Sequence, residues 1–268
     1  MLDVDQYLAA IGYEGPLDPS LRTLRGLHES HVRAVPYHTQ PHDADFLTGA
    51  EFDVEQAFQR SIVSQAGGSC YELNESFRQL LEQLGFTAHR LAASTRLPSG
   101  RFGPEIEHLA VLVDLDGEHW IADVGYSEPT SFGPLKITSE VQRQDGFEFR
   151  MVPDGEWWVL ERLSPVKGWS GLYRFKAVVR SQADFAASIG EIAAQLNEWP
   201  AANLRILSRV VGNSTVLMTG RRLMKHEVGR EVSRMVIDQG EYEKLTDLIL
   251  DPELTDEERA ERIKEFHP

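Results

Sequence analysis

The chain has 268 residues, and its 27 Lys and Arg stand against 42 Asp and Glu, a formal net charge of −15 that repels a phosphate backbone or an anionic bilayer. Hydrophobic residues at 41% supply a core and exclude a disordered chain. A single cysteine excludes an intrachain disulfide and any multi-thiolate zinc site.

The acidic start, Met1 to Leu8, has neither the basic nor the apolar region of a signal peptide, and no apolar run nears the roughly 18 residues of a membrane span. A cytoplasmic protein with no nucleic acid or membrane partner is expected. Asp18 and Pro19 read as the N-cap and first turn of a helix on which Leu21, Leu24, Leu27, His31 and Val35 recur at helical spacing up to Pro36. A second helical pattern starts at Asp53 with Val54, Ala57, Phe58 and Ile62. A third follows Gly67-Gly68, where Leu73, Phe77, Leu80, Leu81 and Leu84 form one stripe closing at Gly85-Phe86.

From Arg90 the pattern alternates with period two. A hairpin runs from His108 to Val124 around Asp116-Gly117, and strands are expected at 147–152, 157–162 and 173–180. Beyond Gln182 comes a helical stretch near 184–197, strands near 205–219 about Gly212-Asn213, and then helices, the last opened by a capping box of Thr255 and Glu258. Helical, β and mixed thirds packed as one unit make an α+β chain.

Cys70 follows two glycines at the predicted start of the long striped helix. Free backbone N–H groups and the helix dipole favour a thiolate there, and Gly67 and Gly68 admit the close approach of a backbone or a substrate. A small buried hydrophobe is the other reading of a lone cysteine. If Asp116-Gly117 is a two-residue turn, Leu115 faces Glu118 and Ala110 faces Asp123, which puts His108 one diagonal step from Asp123 on the same sheet face. Leu109, Val111, Val113, Leu115, Trp120, Ala122 and Val124 occupy the opposite, apolar face and hold the register. A carboxylate on one imidazole nitrogen frees the other to take a thiol proton, although such a pair also serves as an ordinary cross-strand contact.

Gly67-Gly68-Ser69-Cys70-Tyr71-Glu72-Leu73-Asn74, then His108 opening an apolar strand, then Ala122-Asp123-Val124-Gly125-Tyr126 resemble the three ordered signatures of the arylamine N-acetyltransferases, at the family's intervals. The likeness extends to Ile11-Gly12-Tyr13, Thr23-Leu24-Arg25-Gly26-Leu27-His28, Leu84-Gly85-Phe86 and Gly171-Leu172-Tyr173-Arg174-Phe175, and so covers most of the first 180 residues. The resemblance implies a helical bundle over 1–88, a β-barrel-like domain over 89–182 and an α/β lid over 183–268, in a cysteine-proteinase-like arrangement. It also implies a triad of Cys70, His108 and Asp123 working by ping-pong acyl transfer. Acetyl-CoA or another acyl thioester is then the co-substrate, with no bound cofactor and no metal, and an arylamine or hydrazine is the acceptor. Relatives that act as polyketide amide synthases imply the alternative, a chain passed from an acyl carrier protein to an aryl amine.

The chain departs from that pattern at Ala66, where the family carries Arg, and at Pro36-Tyr37-His38-Thr39, where it carries Pro-Phe-Glu-Asn. It departs again at Tyr126 and Ser127, where the family favours Phe and Gly. Tyr37, Gly68, Tyr126 and Ser127 are accordingly the expected substrate-pocket residues, and the altered side chains bear on acyl and acceptor choice. A cysteine hydrolase of papain or transglutaminase type shares the triad, and a non-catalytic binding protein is the remaining class. The family-like flanks and the intact Cys70, His108 and Asp123 favour the transferase.

Other signals read as bland. His38, His42, Asp43 and Asp45 have no metal-ligand spacing, and His226-Glu227 lacks the second His of a zinc helix. Gly168-Trp169-Ser170-Gly171-Leu172 is expected to be a turn beside a packed Trp, and His119 an exposed rim residue. Arg221, Arg222 and Lys225 meet either CoA phosphates or solvent.

Overall fold

The computed structural model describes residues 2–39, 53–97, 99–128, 131–186, 188 and 205–266. Helix α1 (Val4–Ala10) is capped by Asp3, and α2 (Leu21–Ala34) by Ser20. The expected cap of α2, Asp18, lies outside it: Ser20 is the extended residue, at φ −125°, whose Oγ accepts the Thr23 N–H at 3.3 Å. An N-cap side chain bonds a backbone N–H two or three residues on, and Ser20 stands three residues before Thr23 while Asp18 stands five. Helix α3 (Val54–Phe58) starts where the pattern was expected to, is capped by Asp53, and runs into a π-helical turn at Gln59–Val63. Helix α4 (Cys70–Gln83) carries the predicted stripe, with Leu73, Phe77, Leu80 and Leu81 all fully buried.

The central sheet is antiparallel, in the order β5-β4-β3-β2-β9-β8-β7-β6. Its strands are β2 (Thr87–Thr95), β3 (His108–Leu115), β4 (Glu118–Ala122), β5 (Leu135–Lys136), β6 (Gln142–Gln144), β7 (Phe147–Asp154), β8 (Trp157–Ser164) and β9 (Gly168–Arg180). The edge strands β5 and β6 are stitched by side chains that stand in for ladder bonds. Lys136 N–H donates to Gln142 Oε1 at 2.8 Å while Gln142 Nε2 donates to Lys136 O at 2.8 Å, and Gln144 pairs in the same way with Gly133 N and Pro134 O. A barrel-like sheet results, with its two exposed edges blunted by each other.

The β3–β4 hairpin has the expected register, Leu115 opposite Glu118 and Val111 opposite Ala122, and Asp116 and Gly117 take φ of +54° and +77°. That is the turn chemistry a two-residue loop requires. The expected division into a polar and an apolar face does not occur, because α4 packs on β2 and β3 and every residue from His108 to Val113 is buried. Gly168 to Leu172, expected as a turn, opens strand β9. Trp169 there lies under the Arg150 guanidinium at 4.3 Å.

A second sheet has the order β1-β10-β11-β12-β13. Strands β10 (Ile206–Val211) and β11 (Ser214–Thr219) fall where they were expected, whereas β12 (Arg222–Glu227) and β13 (Arg230–Met235) occupy a stretch for which no further strands were expected before the closing helices. Six charged residues lie in these two strands, and the buried residues Leu223 and His226 of β12 stand three apart, so no alternation of period two marks them. Strand β1 (Tyr37–His38) comes from the N-terminal third, and its Tyr37 pairs with Ser208 of β10. Helices α5 (Gln239–Leu250) and α6 (Asp256–Arg262) follow, α6 with the capping box read from Thr255 and Glu258. The helix expected near 184–197 and the residues His42, Asp43 and Asp45 lie largely or wholly outside the described residues. Among the described residues no helix is long and apolar enough to cross a membrane.

His28 and His31 of α2 are fully buried, both edge-on to Phe77 of α4, with the Tyr7 hydroxyl on His31 Nδ1 at 2.8 Å. Burial lowers the pKa of His28 to about 4 and of His31 to about 3. The unfolded chain therefore binds protons there that the folded chain excludes. Stability is full above about 6.5 and is lost as pH falls toward 4 and then 3. Denaturant midpoints measured from pH 7 to pH 4 fall for this protein and fall less for His31→Gln; parallel curves for the two would sink the assignment.

Candidate active site

Cys70 is the first residue of α4 and is buried, with a relative exposure of 7%. Ser69 caps the helix, its N–H held by Glu72 Oε2 at 2.8 Å. The two glycines before it are demanded by neighbouring protein atoms. Gly67 has φ +78° and a Cβ there would sit 2.4 Å from Pro36 O, while a Cβ on Gly68 would sit 2.7 Å from Ser61 Oγ. Gly68 O also accepts the His38 N–H at 2.9 Å, so the peptide of β1 lies against the residues leading into α4. The close approach read from these glycines is thus made by Pro36, Ser61 and β1.

His108 and Asp123 approach α4 from the start of β3 and the end of β4. His108 Nε2 donates to Asp123 Oδ2 at 2.7 Å, and the nearby Cys70 sulfur is among the groups that raise the pKa of the ring. With Nε2 taken by the carboxylate, Nδ1 is the nitrogen left for the sulfur. Burial alone lowers the pKa of this imidazole; the charge and hydrogen bond of Asp123, and then Cys70, outweigh it and hold the value at about 10. Burial likewise raises the Asp123 carboxyl, but His108, Asn74 and the Gly125 N–H pull it below its usual range.

Asn74 is the residue that sequence reasoning passed over. One turn beyond Cys70 on the same helix, its Nδ2 donates to Leu109 O at 2.7 Å and to Asp123 Oδ1 at 2.8 Å, and its Oδ1 accepts the Val124 N–H at 2.9 Å. A single amide thus ties the helix of Cys70 to the strand of His108 and the loop of Asp123. The spacing was the available signal, since positions i and i+4 share a helix face. Gly125 completes the fit: a Cβ there would lie 2.7 Å from Asn74 Nδ2 and 2.9 Å from Cys70 Cα.

Aromatic rings enclose the imidazole. His108 lies 5.3 Å from Tyr126 and 5.5 Å from Tyr173, and those two rings lie 5.2 Å apart. Tyr173, on β9, also went unassigned in the sequence. The Tyr126 hydroxyl donates to Leu172 O at 2.9 Å, so the hydroxyl expected to face substrate is turned to backbone. Half-buried Tyr37 stands close enough to Cys70 that burial and then the sulfur raise its pKa, and Tyr71 shifts the same way for the same causes. Ser127 is half-buried, three residues beyond Val124.

The departures at 37–39 and 66 are neighbours in space, since β1 lies on Gly68. Gln65, at φ +51°, reaches back to Ala10 O at 2.9 Å, and the cation facing the fully buried Glu72 is Arg60. His119 is exposed and pairs with Asp114, as a rim residue does. Arg221 bonds Val236 O and Ile237 O, Arg222 bonds Ser233, and Lys225 pairs with Glu227, all within the second sheet and its continuation. Among the described residues no three His, Cys, Asp or Glu side chains are grouped to hold a metal.

The sequence model of the N-acetyltransferase family matches residues 20–257. The chain is similar to the proansamycin X synthase of Amycolatopsis mediterranei, at 34% identity over 93% of this chain and 97% of that one. It is similar to the arylamine N-acetyltransferase of Escherichia coli, at 29% identity over 75% of this chain and 70% of that one. Its fold superposes on the Mycobacterium marinum arylamine N-acetyltransferase in complex with CoA with a TM-score of 0.78, covering 91% of each chain at 24% identity.

Proposed function

The chain belongs to the arylamine N-acetyltransferase family, and from that premise we propose that it forms amides by ping-pong acyl transfer through Cys70. The observation that carries the reading is one imidazole, His108, held by Asp123 at 2.7 Å and standing near enough to a cysteine at a helix start for the sulfur to act on its pKa. In the first half, His108 Nδ1 takes the thiol proton and the sulfur attacks the thioester carbonyl. Backbone N–H groups of the first turn of α4 stabilise the oxyanion. Collapse breaks the C–S bond of the donor, whose thiolate leaves with the proton from His108, and Cys70 is left as a thioester. In the second half an amine nitrogen attacks that thioester and yields its proton to His108. The C–S bond to Cys70 then breaks, releasing the amide and restoring the Cys70–His108 pair.

The family's co-substrate is acetyl-CoA, and an arylamine or hydrazine is the first acceptor class. The 34% identity across 97% of proansamycin X synthase favours a second reading, transfer of a polyketide acyl chain from a carrier protein to an aryl amine. The departures at Tyr37, His38 and Ser127 fit a pocket that differs from that of an acetyl enzyme.

Incubation with acetyl-CoA, and separately with longer acyl thioesters, decides between them. A mass increment mapped to Cys70 and discharged by an added arylamine is the expected result, and Cys70→Ala shows none. Loading by acetyl-CoA supports the first reading, and loading by long chains alone supports the second. No adduct with any thioester overturns both and returns the hydrolase.

A further inference from the structure

The connection from β2 to β3 folds back on itself before it delivers His108. Arg96 bridges to Phe102 across its neck, the Leu97 N–H donates to Arg101 O at 2.8 Å, and the Gly100 N–H donates to Leu97 O at 2.8 Å. Arg96, Leu97 and Arg101 on this tip are exposed. The Arg96 guanidinium reaches over β9, its Nη1 3.1 Å from where a Cβ on Gly171 would stand, so the glycine leaves the shelf on which it rests. Further along the same strand the Arg174 guanidinium lies 4.8 Å from the ring of Phe102, on the tip, and 4.2 Å from the ring of Trp157, on β8. Three arginines and two aromatic rings thus form one connected surface.

The charge of that surface is unmatched. Among the described residues no Asp or Glu pairs with Arg96, Arg101 or Arg174, whereas the acids alongside are taken by other cations, Glu105 by Lys176 and Arg180, and Glu156 by Lys176. A chain of net charge −15 repels an acidic partner in general, so approach by one depends on a local patch of this sign. Arginine among aromatic rings is also the composition that protein interfaces favour. The patch adjoins the site: Leu172 O accepts both the Arg96 N–H and the Tyr126 hydroxyl, each at 2.9 Å, and the Tyr126 ring stands 5.3 Å from that of His108.

We propose that the surface of Arg96, Leu97, Arg101 and Arg174 docks the acidic face of an acyl carrier protein and so brings the carrier's thioester arm to Cys70. This rests on the carrier-borne reading of amide formation and names the surface on which that reading depends. Charges at the rim of an interface speed encounter more than they tighten the complex, and salt screens them.

Three donors with the same reacting thioester separate the contributions: hexanoyl-pantetheine, which has neither protein nor phosphate, hexanoyl-CoA, and the hexanoyl form of an acidic type II carrier protein. Acylation of Cys70 is followed by intact mass at low donor concentration. The wild-type protein loads faster from the carrier than from hexanoyl-pantetheine, by a margin that shrinks between about 0.05 and 0.3 M salt. A double variant, Arg96→Ala with Arg101→Ala, loads from the carrier about tenfold more slowly and with little salt dependence, while its loading from hexanoyl-pantetheine stays within about twofold of wild type. Both side chains are exposed, and the small donor reports any damage to the site itself. Equal wild-type loading from carrier and hexanoyl-pantetheine, or unchanged carrier loading in the double variant, overturns the proposal. Slowing shared by hexanoyl-CoA assigns the patch to the donor's phosphates, slowing shared by hexanoyl-pantetheine assigns it to the fold, and either result overturns carrier docking. Loading from the two small donors with none from the carrier overturns it together with the carrier-borne reading. No adduct from any of the three strikes the amide-forming reading beneath both.

Discussion

An Asp123→Asn protein keeps the fold and loads Cys70 from a thioester about 10⁴-fold more slowly, the scale of loss when an imidazole is held in the wrong tautomer. The neighbours dictate that outcome. Asn74 Nδ2 and the Gly125 N–H both donate to Asp123 Oδ1, at 2.8 and 3.1 Å, so the position of Oδ1 must keep an oxygen. The amide nitrogen of the substituted side chain is then forced onto the position of Oδ2, facing His108 Nε2. That ring nitrogen must accept, which moves the ring proton to Nδ1, against the sulfur, where a proton acceptor is required. Asp123 is also what offsets the burial of His108, and without its charge the imidazole drops from about 10 toward and below its ordinary value. Nitrogen NMR of the His108 ring reads the tautomer, and single-turnover release of free CoA reads the loading rate. A variant that loads within tenfold of wild type removes Asp123 from the mechanism.

The parts of this arrangement that were legible in the sequence are those set by local rules. Asp116-Gly117 fixes a two-residue turn, and a two-residue turn fixes every pair above it, so the register that brings His108 near Asp123 follows from two residues. The capping box of Thr255 and Glu258 located the start of α6 in the same local way. What was not legible depends on which surface another element covers. Nothing in β3 or β4 announces that α4 will bury the His108 face, and so that face was read as polar. Strand β12 buries Leu223 and His226, three residues apart and so on opposite faces, and β13 buries no residue fully, so charged sequence from Arg222 to Arg234 shows no period of two. Strand β1 has two residues, too few for any periodicity, and is defined wholly by its partners Gly68 and Ser208. Asn74 and Tyr173 stood inside motifs already singled out, but a hydrogen bond between distant segments has no signature in either segment alone.

Glu75→Gln costs about 3–5 kcal/mol of folding stability, the loss expected when one partner is removed from a buried ion cluster. Glu75 is 3% exposed and accepts two guanidinium forks at once, Arg78 at 3.0 and 2.8 Å and Arg90 at 2.8 and 2.6 Å. Burial raises its pKa, yet the two guanidiniums together bring it below the ordinary carboxylate range, so their hold exceeds the desolvation cost in the assembled site. An amide in its place offers one acceptor oxygen and turns an NH₂ toward at least one buried cation. Denaturant unfolding reads this as a lower midpoint at unchanged slope, and a loss under about 1 kcal/mol would place the cluster among ordinary surface pairs. The comparison with Glu75→Leu, Arg78→Met, Arg90→Leu separates charge from packing: the apolar triple variant should recover most of the loss, because the expense lies in an unpaired charge and not in the absence of a bridge. The consequence reaches the site because Glu75 follows Asn74 on α4. Asn74 ties that helix to β3 and the Asp123 loop while Glu75 ties it to Arg90 on β2, and the two clamps together fix where the first turn places the Cys70 sulfur. A Glu75→Gln protein that remains folded in the cold therefore loads Cys70 more slowly than wild type, although no atom of Glu75 touches the reacting groups.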